Sequence, residues 1–184
     1  PVEGKSLLHM QCHIGTDTLS WAREGAQVTG LDFSPNAIAE AARFADILGF
    51  DDARFVVSRV SEAVETLEGE QFDIIYTGRG ALCWLPDLKE WARVCAALLR
   101  QGGTLYFEES TPMVNILDPE EGPNGPRLVP KYDLFKEGPI SETGEGSYAD
   151  PEWPGRGVTH CWEYRYDTII NALIEGGFQI EFLN

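Results

Sequence analysis

Along the segment LLHMQCHIGTDTLSWA (residues 7–22), Gln11, His13 and Gly15 alternate where an apolar run gives way to a helix-forming one. A turn in that setting commonly holds a nucleotide, and a pyrophosphate there needs glycines because backbone must approach the phosphates at a helix N-terminus. Gln11 and His13 occupy positions where such glycines are expected. Their side chains hinder a pyrophosphate, whereas a nucleoside without phosphates tolerates them, so the turn disfavours NAD, FAD and ATP. Asp32, at the end of the next apolar run, is placed to accept hydrogen bonds from both ribose hydroxyls.

Other groups could do chemistry but carry weaker signals. His9 lies inside a strand and reads as structural, His13 as a loop residue packing near a ligand, and His160, beside Trp162 and Tyr164, as a packed or hydrogen-bonded residue. Arg79 could orient an anionic group, and Glu108 or Glu109 could face a substrate. Trp84, Tyr132, Phe135, Trp153, Trp162 and Tyr164 could wall a pocket. None of these patterns assigns a catalytic residue. Cys12, Cys83, Cys95 and Cys161 lack the CxxC spacing of zinc and redox sites, so no metal is expected and the thiols read as reduced, in a cytoplasmic protein.

The elements that must position these residues follow from periodicity. Ser6 to Gln11 reads as a buried strand, with Thr16 capping the helix that follows and Asp17 in its first turn. Gln27 to Asp32 is a second strand, and Ser34-Pro35 opens a helix that closes at Gly49. Arg54 to Val57, Phe72 to Thr77 and Thr104 to Glu109 complete five strands. A short helical stretch lies near Ser61 to Leu67, and a longer helix opens at Leu85-Pro86-Asp87 and ends at Gln101-Gly102-Gly103. Strands alternating with helices at this spacing form parallel βαβ units, hence an α/β, Rossmann-like sheet with helices on both faces. Its ligand crevice lies beyond the carboxyl ends of the strands, where Gln11 to Gly15, Asp32 and Thr77 to Arg79 converge.

From Thr111 to about Gly157 prolines and glycines cluster, among them Pro112, Pro119, Pro123, Pro126, Pro130, Pro139, Pro151 and Pro154. A stretch this long without strong periodicity is either functional, as a lid or pocket wall, or partly disordered; the apolar and aromatic content of Leu128 to Phe135 and Val158 to Tyr166, enough for them to pair as strands, favours an ordered flap. A last helix over Asp167 to Glu175 and a final strand over Phe178 to Leu183 return to the sheet. The 184 residues fit one domain, 1–184, with residues 111–157 inserted in it as a flap over the substrate pocket.

The formal charge of -16 repels phosphates, which argues against nucleic acid and anionic membranes as partners. No apolar run reaches the roughly 18 residues of a membrane span. The chain starts at Pro1 without an initiator Met or a signal-peptide pattern, so sequence is expected to be missing upstream.

The segment LLHMQCHIGTDTLSWAREGAQVTGLDFSPNAI resembles the class I S-adenosylmethionine-dependent methyltransferases, in particular a bacterial subgroup whose first loop reads QCHxGxDTL. The likeness continues through FDIIYTGRGALCWLPDL and RQGGTLYFEE, and more weakly through HCWEYRYDTIINALIEGGFQIEFL. It implies S-adenosylmethionine as cofactor, S-adenosylhomocysteine as product and in-line methyl transfer to a small-molecule acceptor. It implies Gln11, Cys12, His13 and Gly15 around the methionine half, Asp32 on the ribose with Phe33 beside it, and Thr77, Gly78 and Arg79 along the floor. His9 stands where most of the family carries an acidic residue. Arg59 stands where many have an aspartate for the adenine amino group, so Arg59 and Val60 are expected to stack or pack on the adenine instead. These departures leave a non-catalytic binder of the same cofactor as an alternative, ahead of a nicotinamide-dependent oxidoreductase. The family usually ends in an antiparallel seventh strand between the fifth and sixth. No obvious one precedes Asn184, so sequence is expected to be missing there too, or Val158 to Tyr166 fills part of that role.

Overall fold

Leu7, Leu8 and Met10 are fully buried on successive positions, so Ser6–Met10 (β1) has no face for solvent and must lie inside a sheet covered on both sides. The computed structural model describes residues 1–145 and 156–183 and places β1 there. Trp153, Pro151 and Pro154 lie outside the described residues. With Gln27–Asp32 (β2), Arg54–Val57 (β3), Phe72–Thr77 (β4) and Leu99–Phe107 (β5), β1 forms a five-stranded sheet of order β3-β2-β1-β4-β5. Every pair is parallel, with Met10 level with Leu31 on one side and Thr77 on the other. The carboxyl ends of β1, β2 and β4 therefore finish side by side.

The flanking helices are Thr16–Arg23 (α1), Pro35–Leu48 (α2), Ala63–Thr66 (α3) and Leu88–Leu98 (α4). Ser34 caps α2 as its sequence implies, its Oγ accepting from the Ala37 N–H at 3.3 Å. Thr16 does not cap α1. Gly15, left-handed at φ 74, is the capping position, and Thr16 is already helical with no side-chain cap. Along α4, Leu88, Trp91, Cys95 and Leu98 are buried, and Trp91 meets Phe107 edge-on at 5.9 Å.

Two further expectations give way to hydrogen bonding. Gln101-Gly102-Gly103 does not end a helix but bulges within β5, where the ladder pairs Phe72 with Leu99 and then Ile74 with Thr104. A Cβ on Gly103 would lie 2.9 Å from the carbonyl oxygens of Asp73 and Arg100, so only glycine passes there. Phe178 to Leu183 follows Tyr166–Glu175 (α6) but is not a strand, because the sheet's order ends at β5 and no neighbour among the described residues supplies it a ladder. Phe182 and Leu183 are accordingly well exposed.

The described residues fall into two compact units. The first, within Pro1–Arg79, Lys89–Glu108 and Ala172–Asn184, holds the sheet; the second takes Gly80–Leu88 and Glu109–Asn171. In the second, Pro112–Asn115 (α5) precedes two antiparallel hairpins, Leu117–Glu120 (β6) with Arg127–Pro130 (β7), and Ile140–Glu145 (β8) with Arg156–Cys161 (β9). The expected pairing of Leu128 to Phe135 with Val158 to Tyr166 does not form. Each segment pairs with a nearer one, whose loop costs less entropy to close. Gly122 and Gly125 exchange N–H···O bonds at 3.2 Å to turn the first hairpin, and the Asp133 carboxylate accepts the Phe135 N–H beyond it, ending extended structure.

Candidate functional site

Gln11, His13 and Gly15 share one backbone property, a positive φ of 57°, 49° and 74°. Among the described residues only four that are not glycine have one: Gln11, His13, Glu68 and Arg79. Three of the four sit just beyond β1 and β4. Such placements cost about 1–3 kcal/mol each and persist only where the surroundings fix them. Here Cys12 N donates to Leu31 O, Gly15 N to Cys12 O and His13 N to Asp32 Oδ2, all at 2.9 Å. Gly15 is also close-packed, since a Cβ would fall 2.8 Å from both Ala41 Cβ and Phe55 Cε1.

Asp32 is buried and holds two segments at once, Oδ2 accepting from His13 N and Oδ1 from Ser34 N, each at 2.9 Å. A carboxylate oxygen has two lone pairs, so each keeps one for a further donor. The Asp32 carbonyl accepts Ser58 N at 2.9 Å, which brings Arg59 and Val60 alongside. Phe33, next to this carboxylate, is 70% exposed.

Beyond β4, Thr77 is buried and its Oγ1 has no hydrogen-bond partner among the described residues, a rare state for a polar atom. Gly78 passes under the Tyr76 hydroxyl, which would lie 2.0 Å from a Cβ there. Arg79 N donates to Glu108 O at 2.7 Å, prolonging the β4–β5 pairing past the strand ends, and Arg79 Nε reaches Asp17 Oδ2 at 3.6 Å. Burial raises the Tyr76 phenol above its ordinary value, with Asp17 and Glu108 adding to the shift, so it stays a donor.

Two buried groups lie behind these loops. His9 Nδ1 is 2.8 Å from Thr18 Oγ1 and its ring rests on Tyr76 at 4.7 Å. Burial pulls its pKa down to about 3, so it is a neutral imidazole that ties β1 to α1. Tyr76 stacks on Tyr106 at 5.7 Å and Trp21 meets both edge-on. The Cys12 thiol, buried under the loop, is pushed up to about 12 by burial and then by Asp32. It stays protonated and is no nucleophile.

The first unit thus contains all eleven candidate binding residues: Gln11, Cys12, His13 and Gly15 after β1; Asp32 and Phe33 at the end of β2; Arg59 and Val60 after β3; and Thr77, Gly78 and Arg79 at the end of β4. His160 and Glu109 belong to the second. His160 Nδ1 lies 2.8 Å from Ser141 Oγ across β8 and β9, and Glu109 accepts from Leu82 N and Ser110 N. Sequence reasoning missed the pairing of Asp17 with Arg79, for which the signal was Asp17's place in the first turn after the loop. It also missed the Tyr76 stack, which the strand register implies. A surface hollow lined by Ala22, Gly25, Phe50 and Asp52 lies at the amino ends of β2 and β3, the opposite edge, and contains none of the candidates.

A family model described as a methyltransferase domain matches residues 8–105. The ubiquinone biosynthesis O-methyltransferase of Erwinia tasmaniensis is 33% identical over 104 residues, covering 56% of this chain and 42% of that protein. Its counterpart in Escherichia coli O127:H6 is 35% identical over 106 residues with the same coverage, so the chain spans less than half the length of these relatives. Among solved structures, the fold resembles a putative S-adenosylmethionine-dependent methyltransferase from Listeria monocytogenes. That match has a TM-score of 0.75 at 18% identity and covers 99% of this chain and 78% of that one.

Proposed function

The chain belongs to the methyltransferase-domain family, and from that membership we propose that it is a S-adenosylmethionine-dependent enzyme that methylates a small-molecule acceptor. The observation that carries the reading is the loop after β1. Gln11 and His13 hold glycine-like backbone with side chains attached, beside an Asp32 carboxylate that has acceptor capacity to spare. That arrangement suits a nucleoside with ribose hydroxyls and no pyrophosphate. The buried Thr77 Oγ1 without a partner, and an exposed Phe33 at the ribose position, fit a ligand lying across these strand ends.

The cofactor supplies a sulfonium methyl group, electrophilic enough that the protein need only align it and keep water out. Asp32 holds the ribose; Phe33, Arg59 and Val60 line the adenine; and Gln11, Cys12, His13 and Gly15 surround the methionine half through backbone. Thr77, Gly78 and Arg79 form the floor. Orientation of this kind is worth roughly 7 to 11 kcal/mol. A general base is required only for an acceptor that must lose a proton, and no residue is assigned that role.

The chain is read as one domain with residues 111–157 inserted for acceptor recognition, in the bacterial subgroup with a QCHxGxDTL loop, acting in the cytoplasm and not on nucleic acid. Among the described residues no helix is long and apolar enough to cross a membrane. The family match stops before the insert, so the ubiquinone relatives' names do not carry over an acceptor. The His9–Thr18 bond supplies an ordering interaction where the family's acidic residue is missing, which weakens the case for a binder that does not catalyse.

Calorimetric titration tests the reading. S-adenosylmethionine and S-adenosylhomocysteine are expected to bind and NAD is not; NAD binding without the other two would overturn it. Asp32→Ala is expected to weaken both adenosyl ligands by about tenfold to a hundredfold, and undiminished affinity would remove Asp32 from the ribose. An acceptor screen for methyl transfer then separates enzyme from binder.

A further inference from the structure

Asp17 and Arg79 face each other across the ends of neighbouring strands. Asp17 is in the first turn of α1, just past the loop that follows β1, and Arg79 lies just past Thr77, which pairs with Met10. Their ion pair is loose, a single Nε···Oδ2 approach of 3.6 Å. By contrast, Arg165 grips Asp167 through two bonds of 2.8 Å. The two charges are therefore held opposite each other without satisfying each other.

Arg79 is also placed deliberately. Its left-handed backbone, φ 57, is fixed by the bond from its own N–H to Glu108 O, while Glu108 N donates to Thr77 O at 3.0 Å. Residues held in this way concentrate at ligand clamps. Asp17 gains from its helix start, where the dipole favours a carboxylate. The Tyr76 phenol and Glu108 are the other polar groups beside the pair.

An anion and a cation held apart at one mouth complement an α-amino acid, whose ammonium and carboxylate share one carbon. Building on the cofactor reading above, we propose that Asp17 and Arg79 clamp the amino-acid end of S-adenosylmethionine, Asp17 taking the ammonium and Arg79 the carboxylate. Each exchanges a poor partner for a direct charge-assisted hydrogen bond. The clamp makes the site select the whole cofactor over nucleosides that lack the amino acid.

The test is calorimetry with S-adenosylmethionine and with 5′-methylthioadenosine, which keeps adenine, ribose and sulfur but has neither charge. Arg79→Ala and Asp17→Ala are each expected to weaken S-adenosylmethionine by about tenfold to a hundredfold. Methylthioadenosine affinity is expected to stay unchanged, which also shows that each variant is folded. Arg79→Lys keeps the charge without the planar fork and should recover part of the loss. Equal weakening of both ligands, or of neither, would overturn the clamp while leaving the cofactor reading intact. An unaltered protein that bound neither ligand would overturn both.

Discussion

Leu31 in β2 is fully buried, whereas Leu128 in β7 is 65% exposed, and each is typical of its region. The sheet unit encloses apolar side chains on both faces, from Leu7 and Leu8 through Ile75 to Trp91 and Leu98. Among the described residues from Thr111 to Asn171, only Pro112 and Ile169 are buried. The insert is held by hairpin ladders and by exposed ion pairs such as Lys131–Asp118 at 2.8 Å. Burial contributes most of a domain's stability and exposed ion pairs contribute little. Stability should therefore reside in the sheet, with little of it resting on the insert.

The largest effect that would sharpen this contrast is Leu31→Ala. It should lower unfolding free energy by about 2–5 kcal/mol in denaturant titration, because a closely packed core closes only partly over the space left behind. A loss as small as that of a surface change would break the comparison on the sheet's side. Gly15→Ala should follow, at about 1–3 kcal/mol, since the new methyl meets Ala41 and Phe55 at 2.8 Å on a left-handed backbone. This variant should also weaken S-adenosylmethionine, because the strained loop is the proposed binding surface.

The same contrast decides what could be read in the sequence. β2, β3, β4 and α2 have the expected bounds because the strands are short apolar runs, the buried residues of α2 recur at helical spacing, and Ser34 and Gly49 mark its ends. The candidate residues were legible because a parallel sheet delivers strand ends to one edge whatever the loops contain. What escaped was set by partners distant in the chain. Phe178 to Leu183 has a strand's composition but no neighbour, the Gly102 bulge is set by β4, and the insert's strands carry too little burial to show which segment each will pair with. The bond from His9 to Thr18 was hidden too, since neither residue type specifies the other.

That bond gives the next effect, dependent on pH. Folded His9 titrates at about 3 and the unfolded side chain at 6.5, so between those values the unfolded chain binds one proton more. His9 therefore costs nothing above pH 6.5 and destabilises the fold progressively as the pH falls, by about 1.4 kcal/mol per unit until about pH 3. His9→Gln, which cannot take up that proton, should flatten this slope. The readout is the difference between the two proteins' stabilities at pH 6.5 and 5.5. Parallel pH profiles would show that His9 is not held neutral.

The smallest expected effect concerns the insert. Leu128→Ser removes an apolar side chain that already meets solvent, so unfolding free energy should change by no more than about 0.5 kcal/mol. Its strand position faces Pro119, and the ladder joining them is made by backbone, which the substitution leaves in place. S-adenosylmethionine affinity should be unchanged as well, since no candidate cofactor residue belongs to the insert. If the insert recognises the acceptor, the change should appear in the acceptor's KM once an acceptor is known. A marked loss of stability from Leu128→Ser would instead mean that this leucine is covered in the working protein, making the insert a second buried layer and ending the contrast with the sheet.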